Sequence, residues 1–366
     1  MSQKKALIAM SGGVDSAVSA YLMCQQGWDC TGVTMRLFDN SILPQGGEST
    51  CCGLDDVEDA RSVARRLGFP FYVFNFTADF EEKVIQKFIR CYECGATPNP
   101  CIDCNRHLKF DHLLRRAREL GCDCVVTGHY ARITQDPETG RYLLHKAKDL
   151  SKDQSYVLYS LSQDQLAHTQ FPLGGMTKAE AREIALAQGF VNARKHDSQD
   201  ICFVPDGDYV GFMERYTGKS YPAGDFLDLE GKVVGKHKGA VSYTLGQRKG
   251  LGLAMGAPVY VCEKNMERNT VTVGPNEALF SNQLLADDWN WFPFDTLTEP
   301  VRVQAKARYN QAPQPATVYP EADGTARVVF DQPQRALTPG QAVVLYDGDL
   351  VVGGGTIKQV IKKGEA

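Results

Sequence analysis

The feature that most constrains this chain is an alternation running through its first third. Short apolar runs ("KKALIAM", "DCTGVTMRLF", "FYVFNF", "CDCVVTGHY") are separated by stretches whose apolar residues recur at helical spacing. These are 16–27, "DDVEDARSVARRLG", "ADFEEKVIQKFIRCYECG" and "NRHLKFDHLLRRARELG". Repeated strand–helix–strand units with apolar strands predict a parallel sheet with helices on both faces. Ligands of such sheets bind at the carboxyl ends of the strands. "SGGVDS", the segment after "GVTMRLF" and "TGHY" all fall there. "TKAEAREIALAQG" adds one more amphipathic helix, and from about residue 205 the pattern changes to short runs rich in Gly, Val and Tyr, which are hairpin signals. The 366 residues are too many for one core. The expected fold is an α/β domain over 1–204, a central β-rich domain over 205–280 and a β-barrel over 281–366.

At the end of the first run the chain reads "MSGGVDSA", Met10 to Ala17. A turn between a strand and a helix leaves backbone N–H groups unpaired, and the helix dipole favours an anion there. Gly12 and Gly13 let the main chain approach that anion closely, and Ser11 and Ser16 can add hydroxyl donors. The same residues also suit an N-capped helix after an ordinary turn. A Walker A loop is excluded, because the only "GKS", Gly218 to Ser220, has Met213 where glycine is required. "GLGLAMG" (250–256) has the wrong spacing for a dinucleotide fingerprint. "SGGVDS" instead resembles the PP-loop of ATP pyrophosphatases, which release pyrophosphate and leave AMP on a substrate oxygen.

The chain carries 12 cysteines, and "MSQKK" runs directly into the first strand, so no secretion leader is expected. No apolar run approaches the ~20 residues of a membrane span. A cytoplasmic protein with reduced, catalytic or metal-binding thiols is expected rather than a disulfide framework. Cys24, Cys30, Cys122, Cys124 and Cys262 lie in apolar contexts and read as buried small hydrophobes. Cys91, Cys94, Cys101 and Cys104 form C-x-x-C-x6-C-x-x-C. The rigid "TPNP" places Cys104 at or near the start of a basic helix beginning around Asn105, where the dipole and Arg106 favour a thiolate nucleophile. Cys202 has Asp197, Asp200 and Asp206 around it, which raise a thiol's pKa, so alone it reads as structural. Cys51 and Cys52 add two thiols near the strand-end face. The two C-x-x-C pairs also suit zinc or an iron–sulfur cluster, but the spacer is short for a zinc ribbon and Cys104 would be consumed as a ligand. No resident metal is expected on these cysteines. The net charge of −4 argues against general nucleic-acid coating. The stripe Arg106, Lys109, Arg115, Arg116 and Arg118 is either a phosphate-binding face or a solvated one.

Six motifs occur in order: "MSGGVDSA", "TPNPCIDCN", "TGHYAR", "KDQSYVLYSL", "DSQDICF" and "YTLGQRKGLG", with "RYN" and "PGQAVVLYDGD" further on. Together they make the chain resemble the tRNA-specific 2-thiouridylases along nearly its whole length. That family thiolates C2 of the wobble uridine (position 34) in the anticodon loop of certain tRNAs. The resemblance implies ATP and Mg²⁺ at Ala9, Met10, Ser11, Gly12, Gly13, Val14, Asp15, Ser16, Met35 and Gly128, with the Asp15 carboxylate placed to ligate Mg²⁺. It implies a persulfide on Cys202, charged by a sulfur-donor protein, and Cys104 as the partner nucleophile. Asn99, Pro100 and Cys101 would border the target base, and His129, Lys152, Asp153, Gln154, Arg308, Tyr309 and Gln341 match positions that contact tRNA. Taken singly, these read as a strand-end histidine, a helix start and a barrel edge. Many relatives carry Asp where this chain has Cys101, and the pair Cys91 and Cys94 is less usual still.

Two rival readings remain at this level. An AMP-forming ligase on the same loop needs neither Cys104 nor Cys202 and would carry a glutaminase or amino-acid-binding module instead of β-rich modules. A metal-binding RNA module without catalysis leaves "SGGVDS" unexplained.

Overall fold

The computed structural model describes residues 3–39, 53–195 and 201–362. Cys51, Cys52, Asp197 and Asp200 lie outside the described residues. The chain groups into two compact units. One comprises Met1–Ile85, Pro100–Asp208 and Asp349–Val351, and the other Gln86–Asn99, Tyr209–Gly348 and Val352–Ala366.

In the first unit the alternation gives β1 (Lys5–Ala9), α1 (Val14–Gln25), β2 (Asp29–Arg36), α2 (Leu54–Leu67) and β3 (Phe71–Asn75). Then come α3 (Thr77–Phe80) and a π-helical turn, Glu81–Ile85; α4 (Gln86–Glu93) groups with the second unit. The next helical stretch begins at α5 (Pro100–Asp103), widens into π-turns over Cys104–His112 and ends in α6 (Leu113–Glu119). The sequence places this start near Asn105. It comes earlier because proline, with its fixed φ and missing N–H, suits the first helical position. β4 (Cys124–Val126) follows.

The strands β5 (Ala131–Gln135) and β6 (Tyr142–Lys146) form a hairpin that the strand–helix pattern does not announce. The backbone carbonyl of Asp349 accepts from Lys146 N–H at 2.8 Å, Leu350 pairs with His145, and the Asp349 carboxylate is ion-paired with Arg132. The unit is completed by α7 (Ser155–Leu158), α8 (Gln163–Ala167), β7 (Thr169–Gln170) and α9 (Lys178–Ala187). The main sheet has the order β3-β2-β1-β4-β7 and is parallel throughout. Its core joins Ala6, Ile8, Val18, Ala60, Val126 and Ala181 from strands and helices. Cys30 and Cys124 lie in that core as expected, whereas Cys24 and Cys122 are half-buried. Cys30 Sγ donates to the Trp28 carbonyl at 3.6 Å, and the neighbouring Cys24 and Cys30 thiols perturb each other, the Cys24 pKa being pushed down and that of Cys30 up.

In the second unit α10 (Tyr209–Thr217) packs on α4: Tyr92 stacks on Tyr209 at 4.4 Å and Phe88 meets Phe212 edge-on at 6.4 Å. The strands β8 (Gly224–Leu227), β9 (Val233–His237), β10 (Tyr260–Asn265) and β11 (Thr270–Gly274) make a four-stranded sheet over Phe226, Tyr243 and Val271, with Cys262 half-buried in β10. The last six strands are β12 (Phe280–Trp291), β13 (Val301–Lys306), β14 (Gln314–Pro320), β15 (Ala326–Arg335), β16 (Ala342–Asp347) and β17 (Leu350–Ile361). They run in the order β12-β15-β14-β13-β16-β17, and pairing of β12 with β17 closes the barrel. Small and branched residues such as Ala305, Ala316, Val328 and Val343 fill its interior, as a narrow barrel requires. At the closure a Cβ on Gly353 would lie 2.5 Å from the Asn290 carbonyl oxygen, so only glycine fits there. Among the described residues, no helix is long and apolar enough to cross a membrane.

Candidate active site

The order of the parallel sheet reverses at β1, which has β2 on one side and β4 on the other. In open α/β sheets this switch point opens a crevice beyond the strand ends. A cavity of about 320 Å³ lies there. Its wall includes Ala9, Met10, Ser11, Asp15 and Ser16 from the first turn, Met35 from β2, and Gly128 and His129 after β4. Pro100, Cys101, Cys104 and Lys109 line it from the α5 helical stretch, with Gln154 and Cys202 from later segments. The structure therefore brings both sequence-predicted nucleophiles to the phosphate loop.

The loop is built for close approach. Gly12 has φ +74°, and a Cβ there would fall 2.4 Å from the Asp56 carbonyl oxygen. Gly13 caps α1 with extended backbone, and Val14 is buried in the first turn. The Ser16 hydroxyl accepts from Ser11 N–H at 3.2 Å and donates to the Gly13 carbonyl at 3.0 Å. That proton orders the loop rather than pointing at an anion. A Cβ on Gly128 would lie 2.8 Å from the Asp15 backbone carbon, so glycine here lets β4 reach the start of α1.

Asp15 has partners that motif reading missed. Both of its carboxylate oxygens accept from Lys178 Nζ at 2.8 Å, and Oδ1 also accepts from Tyr130 Oη at 2.8 Å. Lys178 is the first residue of α9, and the Thr177–Glu180 capping box fixes that start. The "TKAE" spacing is the sequence signal for such a cap. Asn105, the residue after Cys104, is buried and donates Nδ2–H to the Val157 carbonyl at 2.9 Å, holding the cysteine's helix on α7.

His129 is buried between Phe110 and Phe171, with its Nδ1 2.7 Å from Thr127 Oγ1. Burial, aided by the Lys109 charge, holds its pKa well below the usual imidazole range, so it is neutral. Gln154 Oε1 accepts from Tyr130 N–H at 3.0 Å. Asp153 organises the start of α7, accepting from Ala147 N–H and from the Ser155 hydroxyl, while Lys152 N–H donates to the Asp149 carbonyl. In the basic stripe Arg115, Arg116 and Arg118 are ion-paired with Asp111, Glu119 and Asp164, whereas Lys109 faces the cavity. Among the described residues, no three His, Cys, Asp or Glu side chains gather as metal ligands.

The remaining expected residues lie in the second unit. Asn99 directly precedes Pro100, and the half-buried Cys91 and exposed Cys94 belong to α4 and the turn after it. Gln341 donates Nε2–H to the Thr97 carbonyl at 2.8 Å. Arg308 Nη2 donates to the carbonyls of Leu245 at 3.2 Å and Ala336 at 2.6 Å and to Thr338 Oγ1 at 2.8 Å. Ala336 sits at φ +52°, a conformation that needs such support. Arg308 is thus an internal staple, while Tyr309 is partly exposed beneath Lys306. Arg308→Ala should lower the stability of the purified protein by roughly 2–3 kcal/mol in denaturant unfolding, the worth of charge-assisted bonds to buried acceptors. An unchanged midpoint and slope would show that the staple contributes nothing.

Comparison with known proteins gives three consecutive family matches: the tRNA methyl transferase HUP domain over residues 4–206, the tRNA methyl transferase PRC-barrel domain over 210–275, and the aminomethyltransferase beta-barrel domain over 281–357. The chain is 52% identical over 358 residues to the tRNA-specific 2-thiouridylase MnmA of Clostridioides difficile, covering 97% of this chain and 98% of that protein. It belongs to the tRNA-specific 2-thiouridylase family. The MnmA protein of Clostridium acetobutylicum is likewise 52% identical, over 97% of this chain and 99% of its own length. Members at this level of identity align across all three segments, so the thiouridylase resemblance drawn from six short motifs holds for the whole chain.

Proposed function

We propose that this chain is an ATP-dependent tRNA sulfurtransferase that converts the wobble uridine to 2-thiouridine, releasing AMP and pyrophosphate. One observation carries the reading: a phosphate-cradling turn and two cysteines 98 positions apart, Cys104 and Cys202, line a single cavity. A ligase needs the first and has no use for the second.

The loop Ala9–Ser16 holds the triphosphate on backbone N–H groups, with Lys178 adding positive charge beside it. Asp15 is partly exposed at the cavity and shares its charge with Lys178; it would hold the Mg²⁺ that screens the triphosphate. Adenylation of the uracil O2 turns a poor leaving group into AMP. A persulfide-bearing donor protein charges Cys202 with sulfane sulfur. Cys104 either frees that sulfur as hydrosulfide by attacking Cys202 Sγ, or resolves the bond after the persulfide has attacked C2. In both cases AMP leaves, and a Cys104–Cys202 disulfide remains for a cellular thiol to reduce. Such a cycle suits a reducing cytoplasm. The uridine must leave its stack to reach the crevice, with Pro100 and Cys101 at its border and His129 as a neutral, apolar-backed wall. Tyr309 and Gln341, in the second unit, are the candidates for holding tRNA away from the nucleotide.

The test is to assay ATP cleavage with unmodified tRNA and a persulfide donor, each present or withheld. Pyrophosphate released only when tRNA is present, and 2-thiouridine formed only when the persulfide donor is present as well, is the expected result. Adenylation of an amino acid or another small carboxylate, without tRNA, would replace this reading with the ligase.

A further inference from the structure

Residues 192–195, seven to ten positions before Cys202, are fastened to the phosphate loop and to α2. Asn192, which is 2% exposed, donates Nδ2–H to the Gly12 carbonyl at 2.9 Å. Lys195 Nζ donates to Asp56 Oδ1 at 2.5 Å and Asp59 Oδ2 at 2.8 Å on α2. Asp56 is 3% exposed, and its backbone occupies the space where a Gly12 side chain would fall. Gly12, the start of α2 and residues 192–195 therefore form one packed knot. Burial penalises the Lys195 charge, but its two carboxylate partners outweigh this and raise its pKa, so it stays protonated. On the far side of Cys202, Phe203 is buried edge-on against Phe80 at 5.7 Å. Cys202 thus has a polar anchor seven positions before it in the chain and an apolar one at the next residue.

Phe203, the residue after Cys202, is already held in the core. The polar anchor is a poor device for stability. A buried ion pair gains little over apolar packing. Here Asp56 Oδ2 and Asn192 Oδ1 are also buried with no hydrogen-bond partner among the described residues, which costs further free energy. The anchor reaches the backbone of the loop that cradles phosphate, and the reactive thiol follows it by seven positions in the chain.

We propose that Asn192 and Lys195 are positioning residues for sulfur transfer, registering the Cys202 segment on the phosphate loop so that the thiol meets the adenylated carbon. They touch neither nucleotide nor base and act through Gly12 and α2. The proposal rests on the sulfurtransferase reading above. Without the Asn192 bond, adenylation proceeds, but sulfur arrives out of register and water takes the adenylate.

Lys195→Ala strips the buried Asp56 of its counter-charge and risks misfolding, so Asn192→Ala and Lys195→Arg carry the test in the full-length protein. We would measure AMP released per 2-thiouridine formed, and the rate at which iodoacetamide alkylates Cys202 with and without ATP. The wild type should give a ratio near one, and ATP should change its alkylation rate. Asn192→Ala should keep pyrophosphate release within about twofold, raise the ratio roughly tenfold and lose the ATP effect, since small misplacements cost orders of magnitude in transfer. Lys195→Arg should restore a ratio near one. If pyrophosphate release and thiolation fell together at an unchanged ratio, the role would be structural and the proposal overturned; so too if neither rate moved. Failure of the parent reading is separable, because a wild-type protein that thiolates normally after complete Cys202 alkylation would refute the sulfur carrier itself.

Discussion

Cys104→Ser and Cys202→Ser should each abolish 2-thiouridine formation while still releasing pyrophosphate from ATP in the presence of tRNA. Adenylation needs the phosphate loop and the uridine oxygen, and neither thiol takes part in it. Sulfur delivery needs a persulfide on one sulfur and a thiolate on the other. A serine hydroxyl, with its far higher pKa, replaces neither. The loss should reach the detection limit, on the order of 10³-fold or more. Cys104 is 7% exposed and held by the helix that Asn105 ties to Val157, so the serine variant should fold normally. Cys91→Ser and Cys94→Ser, in the second unit, should leave activity near normal. A Cys202→Ser enzyme that still makes 2-thiouridine at the wild-type rate from a persulfide donor would identify the wrong sulfur carrier.

Gly12→Ala should cut ATP cleavage by about 100-fold or more, because the phosphate loop would have to move to admit a methyl group. Two terms add here. An L-residue at φ +74° costs about 1 kcal/mol, and the new Cβ would lie 2.4 Å from one backbone atom of Asp56 and 2.7 Å from another. Gly27→Ala separates the terms. Gly27 has a similar φ of +79° just past the end of α1, but nothing lies within 4 Å of its Cβ position. It should lose a little thermal stability and keep its pyrophosphate release. Equal activity in the two variants would show that close packing of Gly12 on α2 does not matter to the nucleotide site.

The residues that could be read from the sequence are those whose role is set by local pattern. β1 to β4 and their helices follow from apolar periodicity, and the phosphate turn from its glycines at a strand–helix junction. The barrel followed from short alternating runs. What escaped depends on partners distant in sequence. Lys178 lies 163 positions from the aspartate it holds, and nothing in "TKAEARE" names that partner. β7 is two residues long and exists because β4 offers it an edge. Cys202, among three aspartates, reads from its neighbours as an inert thiol; only the resemblance to the thiouridylases singled it out, and the fold places it on the wall of the same cavity as Cys104. Arg308 reads as an exposed cation on a strand end; three acceptors from separate segments take it inward. In each case the sequence names the residue type, while tertiary context assigns its work.

The interleaving of the two units governs how this protein can be dissected. The polypeptide leaves the first unit after Ile85 and returns at Pro100, and three residues near the C-terminus, Asp349–Val351, belong to it again. A recombinant fragment ending at Asp208 would deprive Arg132 of its ion-pair partner and β6 of the backbone that Lys146 and His145 meet, and it would carry 86–99 without the helix those residues pack on. No single scissile point yields a self-sufficient catalytic half. Shuffling modules between relatives must therefore exchange matched sets of segments, and limited proteolysis should release nicked but associated pieces rather than separate domains.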